Sequence, residues 1–204
     1  MRFVIICLAM FSSMTAHAAG YSDFSTELAE SYKLEEHRNF KEAISVLAKS
    51  QKKHPDSYIL NLRLGYLFLT AGVTQNALEH YTKAVEAEPK SIEALSGVLA
   101  TYAAKARWAD VIETAERIYQ LAPSNYNAGW NLVRAKIMLG KYEDGLEEVK
   151  KLLKLYPSDQ TLLVQKAVCL ESVKKTGEAR AAYQNVLAVY PGDLTAKAAV
   201  NGLK

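Results

Sequence analysis

Pro55, Pro89, Pro123, Pro157 and Pro191 are the only prolines in this 204-residue chain, and each lies 34 residues from the next. Random placement would almost never give one constant interval, so the spacing reports an internal repeat. Proline cannot continue a helix and pushes the residue before it towards extended backbone. Two residues beyond each proline stands Ser57, Ser91, Asn125, Asp159 or Asp193. These short polar side chains accept bonds from the free N–H groups that open a helix. Stretches such as "LYPSD" at 155–159 and "VYPGD" at 189–193 are therefore joints that stop one helix and start another.

At this period the chain stacks as 24–57, 58–91, 92–125, 126–159 and 160–193, and each block reads as two helices with a short turn between. In the second block, Leu64, Gly65 and Phe68 share one face of the first helix, and Ala77, Tyr81 and Ala84 form a stripe on the second. Small residues let the backbones approach, and Phe68 and Tyr81 fill the spaces beside them. The pattern resembles the tetratricopeptide repeat, which runs Trp-x-x-Leu-Gly-x-x-Tyr, then Ala-x-x-x-Phe, then Pro. Asn61 stands where that pattern opens with Trp.

The other blocks are weaker copies. The fifth keeps Ala167, Leu170, Ala179 and Tyr183, and the first keeps Leu34, Ala43 and Leu47 with Ser31 in the glycine column. In the third, Leu99 and Val111 replace small residues and Ala115 replaces the aromatic. The fourth has Leu132, Gly145 and Val149, with Gly140-Lys141-Tyr142 at its turn. The resemblance implies an all-α fold, an α-α solenoid (superhelix) of about five tetratricopeptide repeats. Residues 194–204 start a further helix, with Leu194, Ala198 and Val200 apolar, expected to cap the last repeat.

Residues 1–18 read differently. Arg2 precedes an apolar run from Phe3 to Phe11, and Ala16-His17-Ala18 gives the small-x-small pattern of a signal-peptidase site. The run is too short to span a bilayer, which takes about 20 residues. Cys7 lies inside it without the small residues that precede a lipidated cysteine. The expectation is a cleaved bacterial-type signal at 1–18, a loose leader at 19–23 and export, to the periplasm first and to the medium as the alternative. After cleavage no membrane segment remains, Cys169 is the single cysteine, and the formal charge drops by one from +3. One cysteine allows no internal disulfide, and a nearly balanced charge argues against a nucleic-acid surface.

Nothing in the sequence assembles a catalytic or metal site. His37, His54 and His80 occupy different parts of the repeat and read as solvated surface residues. Cys169, between Val168 and Leu170, reads as a buried small hydrophobe. Glu35-Glu36-His37 reads as a solvated helix end, and Lys150, Lys151 and Lys154 as cations that favour the helix dipole. No phosphate-binding glycine loop is present. The expectations are no enzyme, no cofactor and no metal.

In the family that this chain resembles, first helices line a concave groove. Carried over, the inward positions are Tyr32, Arg63, Tyr66, Asn127, Trp130, Asn131, Arg134 and Gln165, with Ser96, Gly97, Ala100 and Ala103 as a small-residue floor. Arg63 and Arg134 are both expected to face solvent or a ligand, and Asn127 and Asn131 share Arg134's face. The carboxylate clamp of some relatives is not reproduced: its columns hold Leu28, Tyr32, Arg63, Glu93 and Gly97. The function implied is an envelope scaffold that binds a peptide or helix of a protein partner. The alternatives are an accessory protein of polysaccharide export whose aromatics stack on sugars, and a component that self-associates through its repeat ends.

Overall fold

A computed structural model describes residues 23–203. The expected signal at 1–18 and nearly all of the leader lie outside these residues. The described residues form eleven helices and no strand. They are α1 (Ser25–Glu36), α2 (Phe40–Lys53), α3 (Tyr58–Thr70), α4 (Thr74–Ala87), α5 (Ile92–Ala104), α6 (Trp108–Leu121), α7 (Tyr126–Met138), α8 (Tyr142–Leu155), α9 (Gln160–Ser172), α10 (Thr176–Val189) and α11 (Leu194–Gly202). The chain divides into two compact units, with the boundary between Thr101 and Tyr102.

Each joint works as its chemistry requires. Ser57 accepts from the Leu60 amide at 3.5 Å, Ser91 from Ala94 at 3.1 Å and Asn125 from Ala128 at 2.9 Å. Asp159 accepts from Leu162, and Asp193 from Ala196, both at 2.8 Å. Three of these caps are also held by the residue that opens the preceding repeat. The Tyr58 hydroxyl meets Ser91 Oγ at 2.8 Å, Tyr126 donates to Asp159 Oδ2 at 3.0 Å, and Gln160 donates to Asp193 Oδ2 at 2.9 Å. One side chain thus stops the fraying of a helix and ties two repeats together.

The turns within hairpins carry a second periodic device. Arg38, Gly72, Ala106, Gly140 and Lys174 all have positive φ, between 52° and 78°. In each, the following amide reaches back to the preceding helix, as Asn39 does to Leu34 O at 2.9 Å and Val73 to Phe68 O at 2.8 Å. This closure answers carbonyls of the last turn that the helix itself leaves open, and it demands a left-handed residue.

In the first unit, Leu28, Ala43, Leu47, Leu60, Leu64 and Leu67 form one core with Phe24. Gly65 and Gly97 flank the Tyr81 ring. A Cβ added at Gly97 would lie 2.2 Å from that ring, and one at Gly65 2.8 Å from it. In the second unit, Val133, Val149, Leu152 and Leu162 make one cluster, and Leu163, Ala167, Tyr183, Val186 and Ala196 another. The third block exchanges its columns without loss of burial: Leu99, Val111 and Ala115 are fully enclosed. Tyr119, one turn beyond Ala115, rests over Gly129, where an added Cβ would meet its hydroxyl at 2.1 Å.

α11 covers the last hairpin, but of the three apolar residues expected there only Val200 packs on it. Ala196, Ala199, Val200 and Leu203 pack onto the cluster around Tyr183, whereas Ala198 is exposed and Leu194 is 78% exposed. The Asp193 cap fixes where the helix begins, and the packed face then follows at three- and four-residue intervals.

Candidate functional site

Tyr32, Arg63 and Tyr66 come together in the first unit. They line an open pocket of about 410 Å³ with Glu35, Leu62, Tyr81, Glu93 and Gly97. Tyr32 and Glu35 stand on α1, Arg63 and Tyr66 on the facing side of α3. Tyr32 and Tyr66 are 51% and 42% exposed. Arg63 was expected to face solvent, yet its side chain is only 5% exposed. It donates from Nη1 to Glu35 Oε2 at 2.6 Å, from Nε to Ser31 Oγ at 3.0 Å and from Nη2 to the Ser31 carbonyl at 2.9 Å. Its guanidinium lies 3.8 Å from the centre of the Tyr32 ring and 5.6 Å from that of Tyr66.

Arg63 is therefore the base of the pocket, and the burial of its charge is met by pairing and hydrogen bonds. Ser31 makes this possible, because it also donates to the Leu28 carbonyl at 2.7 Å and is thereby held in place. Glu35 is a correction too: it is no solvated end. Burial disfavours its charge, but bonds from Tyr66 at 2.6 Å and from Arg63 outweigh this and lower its pKa. The same bond from Tyr66 raises the pKa of that phenol. Gly97, expected as open floor, is buried against the Tyr81 ring.

The second unit holds the other expected positions in a different arrangement. Asn127 is exposed, but Asn131 is buried and donates to the carbonyl and Oδ1 of Asn127, both at 2.9 Å. This i,i+4 bond satisfies the amide locally, so Asn131 presents little to a ligand. Arg134 is exposed, its guanidinium 5.1 Å from the centre of the Trp108 ring. Trp130 is half-buried and packs on the cluster of Val133, Val149, Leu152 and Leu162. Gln165 is half-buried on α9 and joins neither hydrogen-bonded group. Trp108 was not anticipated, because its column holds Phe40, Thr74, Tyr142 and Thr176 and so has no constant chemistry.

Two of the three histidines are not the solvated surface residues expected. His80 is half-buried, stacked 5.4 Å from Phe68 with planes 6° apart. Its Nδ1 lies 2.9 Å from Asn61 Oδ1, while Asn61 Nδ2 donates to the carbonyls of Pro55 and Ser57 at 2.7 and 2.9 Å. Asn61 thus offers an oxygen, and the neutral ring carries its proton on Nδ1. Burial lowers the His80 pKa. Asn61 replaces the indole of the opening column with a polar brace across the hairpin. His54 is also half-buried, tilted against Phe24 at 5.7 Å, while His37 is exposed. Cys169 is fully enclosed, and burial pushes its thiol up to about 11. Among the described residues, no group of three histidine, cysteine or acidic side chains is placed to hold a metal ion. None of their helices is long and apolar enough to cross a membrane.

Repeated helical hairpins, joined by proline stops and capped starts, define a helical-repeat scaffold of the tetratricopeptide type. The tetratricopeptide repeat family model matches residues 28–92 and 131–193, and the chain belongs to that family. Among solved structures, MamA protein matches with a TM-score of 0.76 at 19% identity, over 81% of this chain and 90% of that one. A MamA chain from Desulfovibrio magneticus matches at 0.75 and 15%, over 83% and 96%. A tetratricopeptide repeat protein from Parabacteroides merdae matches at 0.79 and 18%, over 89% and 72%. These likenesses define the fold. Among curated proteins, no sequence matches this chain.

Proposed function

We propose that this chain is a non-catalytic adaptor of the bacterial cell envelope that holds a peptide or helix of a partner protein. Tetratricopeptide repeats are scaffolds for protein–protein interaction, which supports the general class. The observation that carries the finer reading is the pocket of the first unit, where two exposed tyrosines stand around a buried arginine already fixed by Glu35 and Ser31. Tyrosine gives large contact area at little cost in rotamer entropy and is enriched at binding hot spots.

A photo-crosslinking residue at position 66 in envelope preparations tests this reading, with the exposed position 49 on α2 as control. A protein adduct at 66 that is absent at 49 supports the adaptor. An adduct to glycan moves the reading to polysaccharide handling, and an adduct to a second copy moves it to self-association. The envelope assignment rests on residues 1–18, and protein purified from that fraction should begin at Ala19. An intact Met1 would remove the export reading.

A further inference from the structure

The pocket on α1, α3 and α5 carries a charge bias that narrows the partner, an inference that rests on its being the binding site. Its charged lining residues are Glu35, Arg63 and Glu93, one negative charge in excess. Arg63 turns its Nε and both terminal nitrogens to Ser31 and Glu35, so it presents almost no donor to an incoming carboxylate. Glu93, in the first turn of α5, is exposed; the Tyr58 hydroxyl neighbours its carboxylate, but no cation pairs with it among the described residues. The Tyr66 hydroxyl is committed to Glu35, which fixes the half-exposed ring and makes it more electron-rich. An electron-rich ring and a carboxylate without a cationic partner, lining one pocket, suit a cation.

We propose that this pocket selects a lysine or arginine side chain on an extended segment of a partner protein, its cationic head over Tyr66 and countered by Glu93. An acidic segment would meet a net negative lining with no available guanidinium, which rejects it.

The test is an NMR titration of the isotope-labelled full chain with capped alanine peptides that carry two lysines, two norleucines or two glutamates. The lysine peptide should shift the amides of Leu62, Tyr66 and Gly97. Glu93→Gln should weaken it roughly 3–10-fold, and added salt should weaken it further. Tyr66→Leu should weaken it while the melting temperature falls only slightly, since the lost bond to Glu35 is an exposed one. If the norleucine or glutamate peptide moves those amides as strongly as the lysine peptide, charge selection is overturned and the pocket remains a binding site. If no peptide moves them, the selection and the site reading both fall. Lysine binding that is insensitive to Glu93→Gln and to salt overturns the proposed selection.

Discussion

The Arg63 guanidinium and the Glu35 carboxylate meet at 2.6 Å between α3 and α1, beneath two exposed tyrosine rings. An arginine that sequence reasoning places in a ligand's path instead ties two repeats together, and the surface left for a partner is the aromatic rim above it.

Arg63→Ala should therefore destabilise the protein by roughly 2–4 kcal/mol, because Glu35 and the Ser31 carbonyl lose their donor in a largely buried place. Arg134→Ala removes only an exposed contact with Trp108 and should cost under about 1 kcal/mol. Urea unfolding of both variants checks the contrast, and equal effects would contradict the division of roles.

Gly97→Ala puts a methyl where the Tyr81 ring already sits, and the ring has no free side to move to between Gly65 and Gly97. The expected cost is about 1–3 kcal/mol. It should shrink in a Tyr81→Leu background, so a double-mutant cycle should show strong coupling. Additive effects would mean that the two residues do not touch.

The left-handed turn column predicts opposite signs for opposite exchanges. Ala106→Gly and Lys174→Gly should stabilise by about 0.5–1 kcal/mol, because glycine adopts positive φ without a Cβ penalty. Gly140→Ala should destabilise by about 1–2 kcal/mol, although nothing crowds an added methyl there. Thermal melts of the three variants check the signs.

His80 makes stability depend on pH. Its pKa in the folded chain lies below its ordinary value of 6.5, so the unfolded chain binds a proton more readily. The stabilisation from the neutral ring is complete above about pH 6.5 and is lost as pH falls from there towards the folded pKa. The imidazole should titrate by NMR below that ordinary value, and urea midpoints should fall between pH 7 and 5. An imidazole titration at or above 6.5 would show that burial does not govern the ring.

Glu148 acts at lower pH. Burial works against its charge, but Lys136 and Lys151, at 2.8 and 3.0 Å, outweigh this and lower its pKa. Its contribution is present above the ordinary carboxylate value and is lost as pH falls through the lowered one. Lys136→Met should reduce stability at pH 7 more than at pH 3, as read from urea midpoints at both pH values.

The amino-acid sequence by itself determined the period, the helix stops and the five capped starts. These are local: a proline and a short polar side chain act on backbone within four residues of themselves. It also placed Tyr32 and Tyr66 in one column and Arg63 on the face of Tyr66, because helical spacing fixes which residues share a face. Tertiary structure decided which of them a partner can reach. Arg63 is enclosed because Ser31 and Glu35, a whole repeat away, supply its acceptors. Packing also imposed left-handed backbone on Arg38, Ala106 and Lys174, residues that do not favour it, since each hairpin needs the same closure. Burial and pairing depend on residues distant along the chain, and helical periodicity holds no information about them.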